Sequence, residues 1–397
     1  MKRMLIATFD LEIGGVERSL INLLRHLDYE KFQVDLLLYR HSGELLNEIP
    51  KEVNLLPEMK EYATFRKSIL ETASEKLYSI LTARLRAKLI AEFKGKWKKS
   101  AEPGILQMQL MWKYAISHLP TLAGEYDVAV SYLWPHDFVA TKVNATKKIA
   151  WVHTDFSQLE TDVELDLQIW RKYHHIMAVS VSVKEAFTKK YAELTTKVEV
   201  MENVSSPHII KSLSLETQNN LIENDSRFKL LTVARLSYAK GIDMAVEALK
   251  LLHTKGYKNI AWYVVGYGGD EAAIRTLIQN HNLQQHFILL GKQTNPYPYM
   301  KSANLYVQPS RYEGKAVTVE EAQILGKPVL ITNYSTSKSQ VTHGEDGYIC
   351  DLSIQGLVNG IEEIYHNEHL RKKLIANCEK RDYSKSHLVN KLYQISS

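Results

Sequence analysis

The chain's 397 residues exceed the size of one ordinary domain and predict two, and its 45% apolar and 24% charged residues are typical of a soluble globular protein. The mean hydropathy of −0.25 and the lack of an uncharged apolar run of about 18 residues exclude a transmembrane helix. The two cysteines, Cys350 and Cys378, exclude a disulfide framework, and the net charge of +5 permits an anionic ligand or membrane surface without indicating nucleic acid.

The first half alternates short apolar runs with amphipathic stretches, which is typical of a parallel α/β sheet. The N-terminus is basic and then briefly apolar before acidic residues follow, so it predicts a buried first strand and not a signal peptide. The predicted strands are Met4–Phe9, Phe32–Tyr39, Asp127–Leu133, Lys148–His153 and Ile176–Ser180. The predicted helices are Val16–Leu27, Val163–Tyr173 and Val183–Tyr191.

A long basic helical stretch interrupts this alternation between Glu61 and Lys99. Apolar residues at helical spacing interleave with the basic ones. The basic residues are Arg66, Lys67, Arg84, Arg86, Lys88, Lys94, Lys96, Lys98 and Lys99. We favour an inserted pair of helices, packed on the first domain, with a solvated basic face. The alternative is an amphipathic surface that docks on anionic lipid headgroups.

The second half returns to the alternating pattern after a polar segment at 206–227, which we interpret as an interdomain linker. The predicted strands are Lys229–Ala234, Ala261–Val265, Phe287–Leu290, Leu305–Gln308 and Val329–Thr332. The predicted helices are Ile242–His253, Glu271–Asn280, Lys315–Leu325 and Gln355–His366, with a further helix in the C-terminal tail.

Two glutamates, Glu313 and Glu321, stand eight positions apart on either side of the start of a predicted helix. If the residues between them are helical, the carboxylates lie about 12 Å apart along the axis, close to the span from ribose to sugar in a nucleoside diphosphate sugar. The helix N-terminus between them would then face the diphosphate, where free N–H groups favour negative charge. The alternative is an ordinary helix with acidic residues near its N-terminus.

Two cations follow the first strand of the second half, because Arg235 and Lys240 lie in the loop before the next helix. Cations at the carboxyl end of a parallel strand are well placed to hold a diphosphate, although each alone is more often a solvated loop residue. Gly266 and Gly268 form a glycine turn after the next strand, a weak sign of a nucleotide loop that tight packing explains equally well.

In the first half, two strand ends also carry residues that could contact a ligand. Gly14 and Gly15 follow the first strand and allow close approach of the backbone to a phosphate, or form a plain strand-to-helix turn. His153 ends another strand and so points toward the usual ligand crevice of an α/β domain, although a lone histidine is more often structural.

Taken in chain order, these motifs, together with Asn203-Val204, resemble the retaining glycosyltransferases of family four, most closely bacterial members that build capsular, exopolysaccharide or wall polymers. The resemblance implies an α/β GT-B fold, in which two Rossmann-like domains face each other across a cleft. It implies an acceptor-side domain at 1–205 with a helical insertion at about 61–115, a linker at 206–227, a nucleotide-sugar-binding domain at 228–380, and a C-terminal helix at 381–397 that returns to the first domain.

The resemblance also implies roles for individual residues. Arg235 and Lys240 match the cations on the donor diphosphate, Glu321 the acid on the ribose, and Glu313 the acid beside the donor sugar. The backbone N–H groups of Lys315 and Ala316 match those that face the diphosphate and sugar. Gly15 matches a glycine near the distal phosphate, and His153 a histidine near the sugar's hydroxymethyl group. The implied catalytic set is Glu313, Arg235, Lys240 and His153. The implied nucleotide-binding set is Gly14, Gly15, Arg235, Lys240, Gly266, Gly314, Lys315, Ala316, Val317 and Glu321.

The sequence departs from the family where Lys315 and Ala316 replace a frequent aromatic residue and glycine, and Glu320 beside Glu321 makes the register ambiguous. Because no Asp-x-Asp motif follows a plausible strand end, we expect no metal and no cofactor. We expect a UDP-sugar donor, less readily a GDP-sugar, and a saccharide or lipid-linked acceptor. We expect a cytoplasmic location, which allows peripheral contact at the inner face of the membrane. The alternatives are a nucleotide-sugar epimerase, a phosphorylase-like enzyme with a lysine-bound pyridoxal group, and a non-catalytic GT-B partner subunit.

Overall fold

The computed structural model describes residues 1–98, 103–216 and 220–396, and these residues form two compact units. The first unit contains Met1–Glu12, Val16–Glu202 and His387–Ser397, and the second contains Ile13–Gly15 and Asn203–Ser386. The segment predicted as a linker, 206–227, groups with the second unit and contains the helix Pro207–Leu213. The chain therefore passes from one unit to the other at Glu202, three residues before the predicted boundary.

A seven-stranded parallel sheet forms the centre of the first unit, in the order β3-β2-β1-β4-β5-β6-β7. The central strands are almost continuously apolar and buried, as expected for a parallel sheet covered on both faces. The strands are β1 Lys2–Thr8, β2 Phe32–Leu38, β3 Asn54–Leu55, β4 Glu125–Ser131, β5 Asn144–Val152, β6 His175–Ala178 and β7 Val198–Val200.

Eight α-helices lie between β1 and β7 in the part of the chain that the structure describes. They are α1 Gly15–His26, α2 Lys60–Ala63, α3 Ile69–Ser74, α4 Tyr78–Lys98, α5 Pro103–Ala115, α6 Asp137–Lys142, α7 Val163–Trp170 and α8 Val181–Lys190. The predicted insertion thus contains two short helices and the packed pair α4 and α5. The side chains of Arg66, Lys94, Lys96 and Lys98, and all of Lys99, lie outside the described residues.

A six-stranded parallel sheet forms the centre of the second unit, in the order β10-β9-β8-β11-β12-β13. Apolar clusters cover both of its faces, one around Trp262 and Leu249 and the other around Tyr306 and Val319. Its strands are β8 Phe228–Val233, β9 Ile260–Val265, β10 Phe287–Gly291, β11 Leu305–Gln308, β12 Val329–Thr332 and β13 Tyr348–Cys350. Its helices are α9 Pro207–Leu213, α10 Ile242–Thr254, α11 Glu271–Asn280, α12 Tyr297–Ser302, α13 Val317–Ile324, α14 Ile354–His366 and α15 Glu368–Lys380.

Both sheets reverse their strand order at one point, between β1 and β4 in the first unit and between β8 and β11 in the second. Each sheet has the strand order of a Rossmann-like domain, in which ligands bind outside the carboxyl ends of the strands at this reversal. The predicted cations follow β8 and the predicted glutamates follow β11. The topology therefore brings both sets to one edge of the second sheet.

The helix α13 begins at Val317, two residues later than predicted, and ends in a glycine turn as predicted. Gly326 adopts φ +66°, and the N–H groups of Gly326 and Lys327 donate to the carbonyls of Gln323 and Ala322. Because the helix starts at Val317, Glu313 lies on the preceding loop. The helical separation of the two carboxylates expected from the sequence is therefore wrong.

The last helix, α16 Val389–Ser396, belongs to the first unit. It begins later than the predicted tail helix. Tyr393 stacks on Phe32 with ring centroids 5.4 Å apart, and its hydroxyl accepts a hydrogen bond from the Asp28 N–H at 2.7 Å. In the described part of the chain, no helix has the length and apolar character needed to cross a membrane.

Candidate functional site

The carboxylate of Glu313 is buried and held by three side chains at the carboxyl edge of the second sheet. The Lys240 ammonium contacts both of its oxygens at 2.7 and 2.6 Å. Ser310 Oγ and Gln308 Nε2 donate to Oε1 at 2.6 and 3.0 Å. A carboxylate that accepts hydrogen bonds from several charged and neutral donors is fixed in orientation.

Gln308 is itself oriented by its neighbours. The Tyr306 hydroxyl donates to Gln308 Oε1 at 2.7 Å, and Gln308 Nε2 also donates to Ser310 Oγ at 2.9 Å. Thr332 Oγ1 donates to the Ser310 carbonyl at 2.5 Å, and Thr336 Oγ1 donates to the Glu313 carbonyl at 2.9 Å. Side chains on β11 and β12, together with Thr336, thus hold the loop that carries Glu313.

The loop after β8 lies directly against the loop after β11, which explains the contact between Lys240 and Glu313. Gly241 adopts φ +63°, and a Cβ there would overlap the carbonyl oxygen of Pro309, so only glycine permits this approach. The Arg311 N–H donates to the Ala239 carbonyl at 2.8 Å, and the Arg311 guanidinium forms a bidentate pair with Asp243 at 2.8 and 2.6 Å. These contacts hold the loop after β8 against the loop after β11.

Arg235 and Gly266 mark a second close approach at the same edge. Gly266 adopts φ +148°, and a Cβ there would overlap the carbonyl oxygen of Ala234, the residue before Arg235. Arg235 itself is exposed. Gly266 therefore allows the loop after β9 to lie against the loop that presents Arg235.

The adjacent acids Glu320 and Glu321 have different partners, although both are buried on α13. Glu320 pairs with Lys385 and accepts a hydrogen bond from the Ser205 hydroxyl. Glu321 accepts a hydrogen bond from the Tyr297 hydroxyl at 2.9 Å. Because both Glu320 oxygens are engaged by residues from elsewhere in the second unit, Glu320 is a structural residue, and Glu321 is the candidate for ligand binding.

Gln340 holds the segment just before α13. The Ala316 N–H donates to Gln340 Oε1 at 3.3 Å, Gln340 Nε2 donates to the Ala316 carbonyl, and the Tyr334 hydroxyl donates to Gln340 Oε1 at 2.8 Å. The Ala316 N–H, which the resemblance directs at a diphosphate, thus has a protein acceptor in this structure. Gly314 is buried and Lys315 half-buried beside it, and Val317 is the first residue of α13.

In the first unit, His153 directly follows β5 and its ring lies 4.8 Å from that of Tyr132. Burial lowers the pKa of His153 to about 3, so the imidazole is neutral at physiological pH. Its Nε2 atom is buried without a hydrogen-bond partner among the described residues. The glycines Gly14 and Gly15 follow β1, and α1 begins at Gly15.

Sequence reasoning missed the residues that position the acids, namely Tyr297, Gln308, Ser310, Thr336 and Gln340. Gln308 carried a usable signal, because a glutamine that ends an otherwise apolar buried strand needs hydrogen-bond partners at that strand's carboxyl end.

Comparison with known proteins identifies similar chains. Residues 215–381 match the family "Glycosyl transferases group 1". The capsular polysaccharide biosynthesis glycosyltransferase CapM of Staphylococcus aureus is 27% identical over 218 residues, which are 52% of this chain and 56% of CapM. The chain spans about half the length of the curated relatives it matches, at 51%, 56% and 46% for three of them.

Several solved structures match along the entire chain, among them two with bound ligands. A point mutant of S. aureus TarM, in complex with fondaparinux, alpha-GlcNAc-glycerol and UDP, has a TM-score of 0.68 at 14% identity and covers 100% of both chains. Anabaena HepE in complex with UDP-glucose has a TM-score of 0.69 at 15% identity, covering 100% of this chain and 98% of HepE. These neighbours are GT-B glycosyltransferases, and the predicted α/β GT-B fold is confirmed.

Proposed function

We propose that this chain, whose residues 215–381 match the glycosyl transferases group 1 family, transfers a sugar from a UDP-sugar to an acceptor hydroxyl. We assign the reaction to the synthesis of a bacterial surface polysaccharide or glycoconjugate. Three similarities support this assignment. CapM is named for capsular polysaccharide biosynthesis, the TarM mutant was solved with UDP and alpha-GlcNAc-glycerol, and HepE with UDP-glucose.

The contact between Lys240 and Glu313 carries the proposal. It joins a cation and a buried carboxylate at the strand-order reversal of the second sheet, where Rossmann-like domains bind ligands. A diphosphate at this edge would compete with Glu313 for the Lys240 ammonium. Binding of the donor would thereby give Lys240 to the phosphate and Glu313 to the sugar hydroxyls.

In the reaction we propose, the bond between the anomeric carbon and the diphosphate breaks, and negative charge develops on the departing phosphate oxygens. Lys240 and Arg235 stabilise that charge, and a preorganised donor of this kind typically contributes about 3–4 kcal/mol. Glu321 holds the ribose hydroxyls. The predicted contacts with the donor remain part of the proposal for Gly14, Gly15, Gly266, Gly314, Lys315, Ala316, Val317 and His153. To reach the donor, the Ala316 N–H would have to leave Gln340 Oε1.

We further propose that the configuration at the anomeric carbon is retained and that no metal takes part. In this scheme the departing phosphate accepts the acceptor's proton on the same face of the sugar, and the two cations take the role that a divalent metal plays in other transferases. Product NMR reports the anomeric configuration, and the transfer rate in EDTA should equal the rate in added Mg²⁺. An inverted product would overturn the first statement, and a rate that requires a divalent metal would overturn the second.

The experiment that tests the assignment begins with a panel of UDP- and GDP-sugars in thermal denaturation. A ligand at 100 times its dissociation constant adds about 2.7 kcal/mol of stability. Glu313→Ala and Lys240→Ala should each lower acceptor-dependent sugar transfer at least ~100-fold. Lys255→Ala is the matched control, because Lys255 pairs with Glu362 at the opposite end of α10.

Two results would contradict the proposal. One is the failure of every nucleotide sugar, and of UDP and GDP, to stabilise the protein. The other is a near-normal rate of sugar transfer in Glu313→Ala and Lys240→Ala, equal to the rate of the control Lys255→Ala. Turnover of a UDP-sugar without any acceptor would instead identify an epimerase.

A further inference from the structure

Three lysines lie together at the amino edge of the second sheet, the edge opposite the candidate site. Lys229 is the second residue of β8, and its backbone N–H and carbonyl bond to Asn304, the residue before β11, at 2.8 and 2.9 Å. Lys327 stands two residues before β12, the strand on the other side of β11. Lys301 is in the last turn of α12, the helix that leads into β11. The three lysines are thus distant in sequence but adjacent in the fold.

The side chains of these lysines belong to the same face of the sheet. Leu231, two residues after Lys229, packs in an apolar cluster that also contains residues of α12. Val329, two residues after Lys327, packs in the same cluster. Because residues two apart along a strand share a face, Lys229 and Lys327 lie on the face covered by α12, the helix that carries Lys301.

The Lys327 ammonium is half-buried without an acceptor. It has neither a hydrogen bond nor an ion pair with any residue that the structure describes. Lys190 shows the usual arrangement of a half-buried lysine, because its ammonium donates to the carbonyls of Phe156 and Leu159 at 3.3 and 2.6 Å. Burial disfavours the charged form of an amine that lacks such acceptors.

The charges that act on Lys327 have the same sign as its own. Burial lowers the pKa of Lys327, and the positive charges of Lys229 and Lys301 lower it further. The Glu379 carboxylate approaches Gly326, the residue before Lys327, yet within the described ranges it forms no ion pair with Lys327. A lowered pKa raises the fraction of neutral amine, which is the nucleophilic form of a lysine.

Lys229 and Lys301 are placed to bind an anion beside this amine. Neither has an ion-pair partner in the part of the chain that is described. Two such cations attract a reagent that carries negative charge next to its electrophilic atom. An acyl phosphate has this structure, because its phosphate group is bonded to the acyl carbonyl carbon and is also the leaving group.

We propose that Lys327 is a site of N-acylation by acyl phosphates, and that Lys229 and Lys301 bind the phosphate group of the reagent. The neutral amine attacks the acyl carbonyl carbon, a C–N bond forms, and the C–O bond to the phosphate breaks. The phosphate leaves with the electron pair of that bond, and the nitrogen releases a proton to solvent. The product is an uncharged amide, so the repulsion among the three lysines falls. The site lies at the opposite edge of the sheet from Lys240 and does not depend on the proposed transferase activity.

Treatment of the full-length protein with acetyl phosphate, followed by mass spectrometry of its peptides, tests this proposal. Lys327 should be acetylated at least about tenfold faster than the exposed Lys258, because a pKa lower by one gives a tenfold larger fraction of neutral amine. Lys301→Gln should lower the rate at Lys327 about fivefold or more, since it removes one of the two cations that bind the phosphate. Lys258→Gln is the matched control and should leave that rate unchanged, because Lys258 precedes β9, on the side of β8 away from β11.

Phenyl acetate, an uncharged acyl donor, separates binding of the reagent from the reactivity of the amine. The loss of rate in Lys301→Gln should be smaller with phenyl acetate than with acetyl phosphate, because phenyl acetate carries no phosphate for the lysines to bind. Equal losses with the two reagents would overturn the role of the flanking lysines. Acetylation of Lys327 no faster than that of Lys258 would overturn the proposal as a whole. Both measurements follow the modified residue itself, so neither depends on whether a sugar is transferred.

Discussion

At the scale of single residues, the carboxylate of Glu313 depends on Ser310 for its orientation. The Ser310 hydroxyl donates to Oε1 at 2.6 Å and is fully buried. A hydrogen bond to a charged group contributes about 1.5–3 kcal/mol. We therefore expect Ser310→Ala to lower the rate of sugar transfer roughly 10-fold or more, while the affinity for UDP changes little because Ser310 acts only through Glu313.

The matched control for this substitution is Ser214→Ala, which removes a buried hydroxyl whose bond goes to the Lys211 carbonyl of its own helix. Steady-state kinetics and UDP titration of both variants separate the two effects. A loss of UDP affinity in Ser310→Ala as large as the loss of rate would show that Ser310 contacts the nucleotide, and equal rates in both variants would show that Glu313 does not need this donor.

Substitutions of the adjacent residues Glu320 and Glu321 should have different effects, one on stability and the other on UDP affinity. Glu320→Ala removes the carboxylate that pairs with the partly buried Lys385 ammonium, which should lower the free energy of unfolding by about 1–3 kcal/mol with UDP affinity unchanged. Glu321→Gln keeps the shape of the side chain but removes the charge, and should weaken UDP binding about 10-fold or more with little change in stability. Urea unfolding and UDP titration of both variants measure the difference, and a result in the reverse order would exchange the two roles.

At the scale of elements, the approach of the loops after β8 and β11 depends on a glycine. Gly241→Ala meets two obstacles, a positive φ and overlap of the new Cβ with the Pro309 carbonyl. Gly256→Ala meets only the first, because Gly256 has φ +101° and open space around the added Cβ. We expect Gly256→Ala to cost about 1–2 kcal/mol in unfolding free energy and Gly241→Ala to cost more.

The variants Gly241→Ala and Gly256→Ala also distinguish an effect on stability from an effect on UDP binding. The Gly241→Ala backbone must move away from Pro309, and the movement carries Lys240 away from Glu313, so UDP affinity should fall as well. Gly256→Ala should bind UDP normally. If the two variants lose equal stability and keep equal UDP affinity, the close approach at Gly241 does not position Lys240.

Most strands could be predicted because a parallel strand that is covered on both faces is a continuous apolar run. The predicted bounds of β8, β9, β10, β11 and β12 lie within one residue of those observed. The short strands β3, β7 and β13 were missed, since two or three residues show no periodicity. The insertion was predicted as helical, but the exposure of Leu85 and Leu89 and the burial of Ala87 in α4 follow from packing partners that periodicity does not reveal.

The candidate site was predictable only where a residue type at a strand end suggested a ligand. Arg235 and Lys240 follow β8, and Glu313 follows β11. All three were predicted as site residues from the sequence. The partners Gln308, Tyr297 and Gln340 lie between five and 24 positions from the residues they hold. Their roles arise from the folded loops. The Lys240–Glu313 contact itself requires the approach at Gly241, which spacing alone cannot indicate.

At the scale of the whole molecule, the chain crosses between the units more than once, and its last helix stabilises the first unit. The segment before α16 belongs to the second unit, yet Leu392 is fully buried and Tyr393 stacks on Phe32. Lys391 adds an ion pair with Glu199 at 3.0 Å and donates to the Val200 carbonyl at 2.9 Å. Residues separated by most of the sequence thus form one core.

Removal of the Leu392 side chain should therefore weaken the first unit alone. Leu392→Ala leaves a cavity and should lower the local unfolding free energy by about 2–4 kcal/mol. Amide hydrogen exchange should show this loss in β1 and β2, while β8 and β9 keep their protection. Asn390→Ala, on the exposed side of the same helix, is the control and should change neither sheet. Equal loss of protection in both sheets would mean that the two units unfold together, and loss confined to β8 and β9 would place α16 in the second unit.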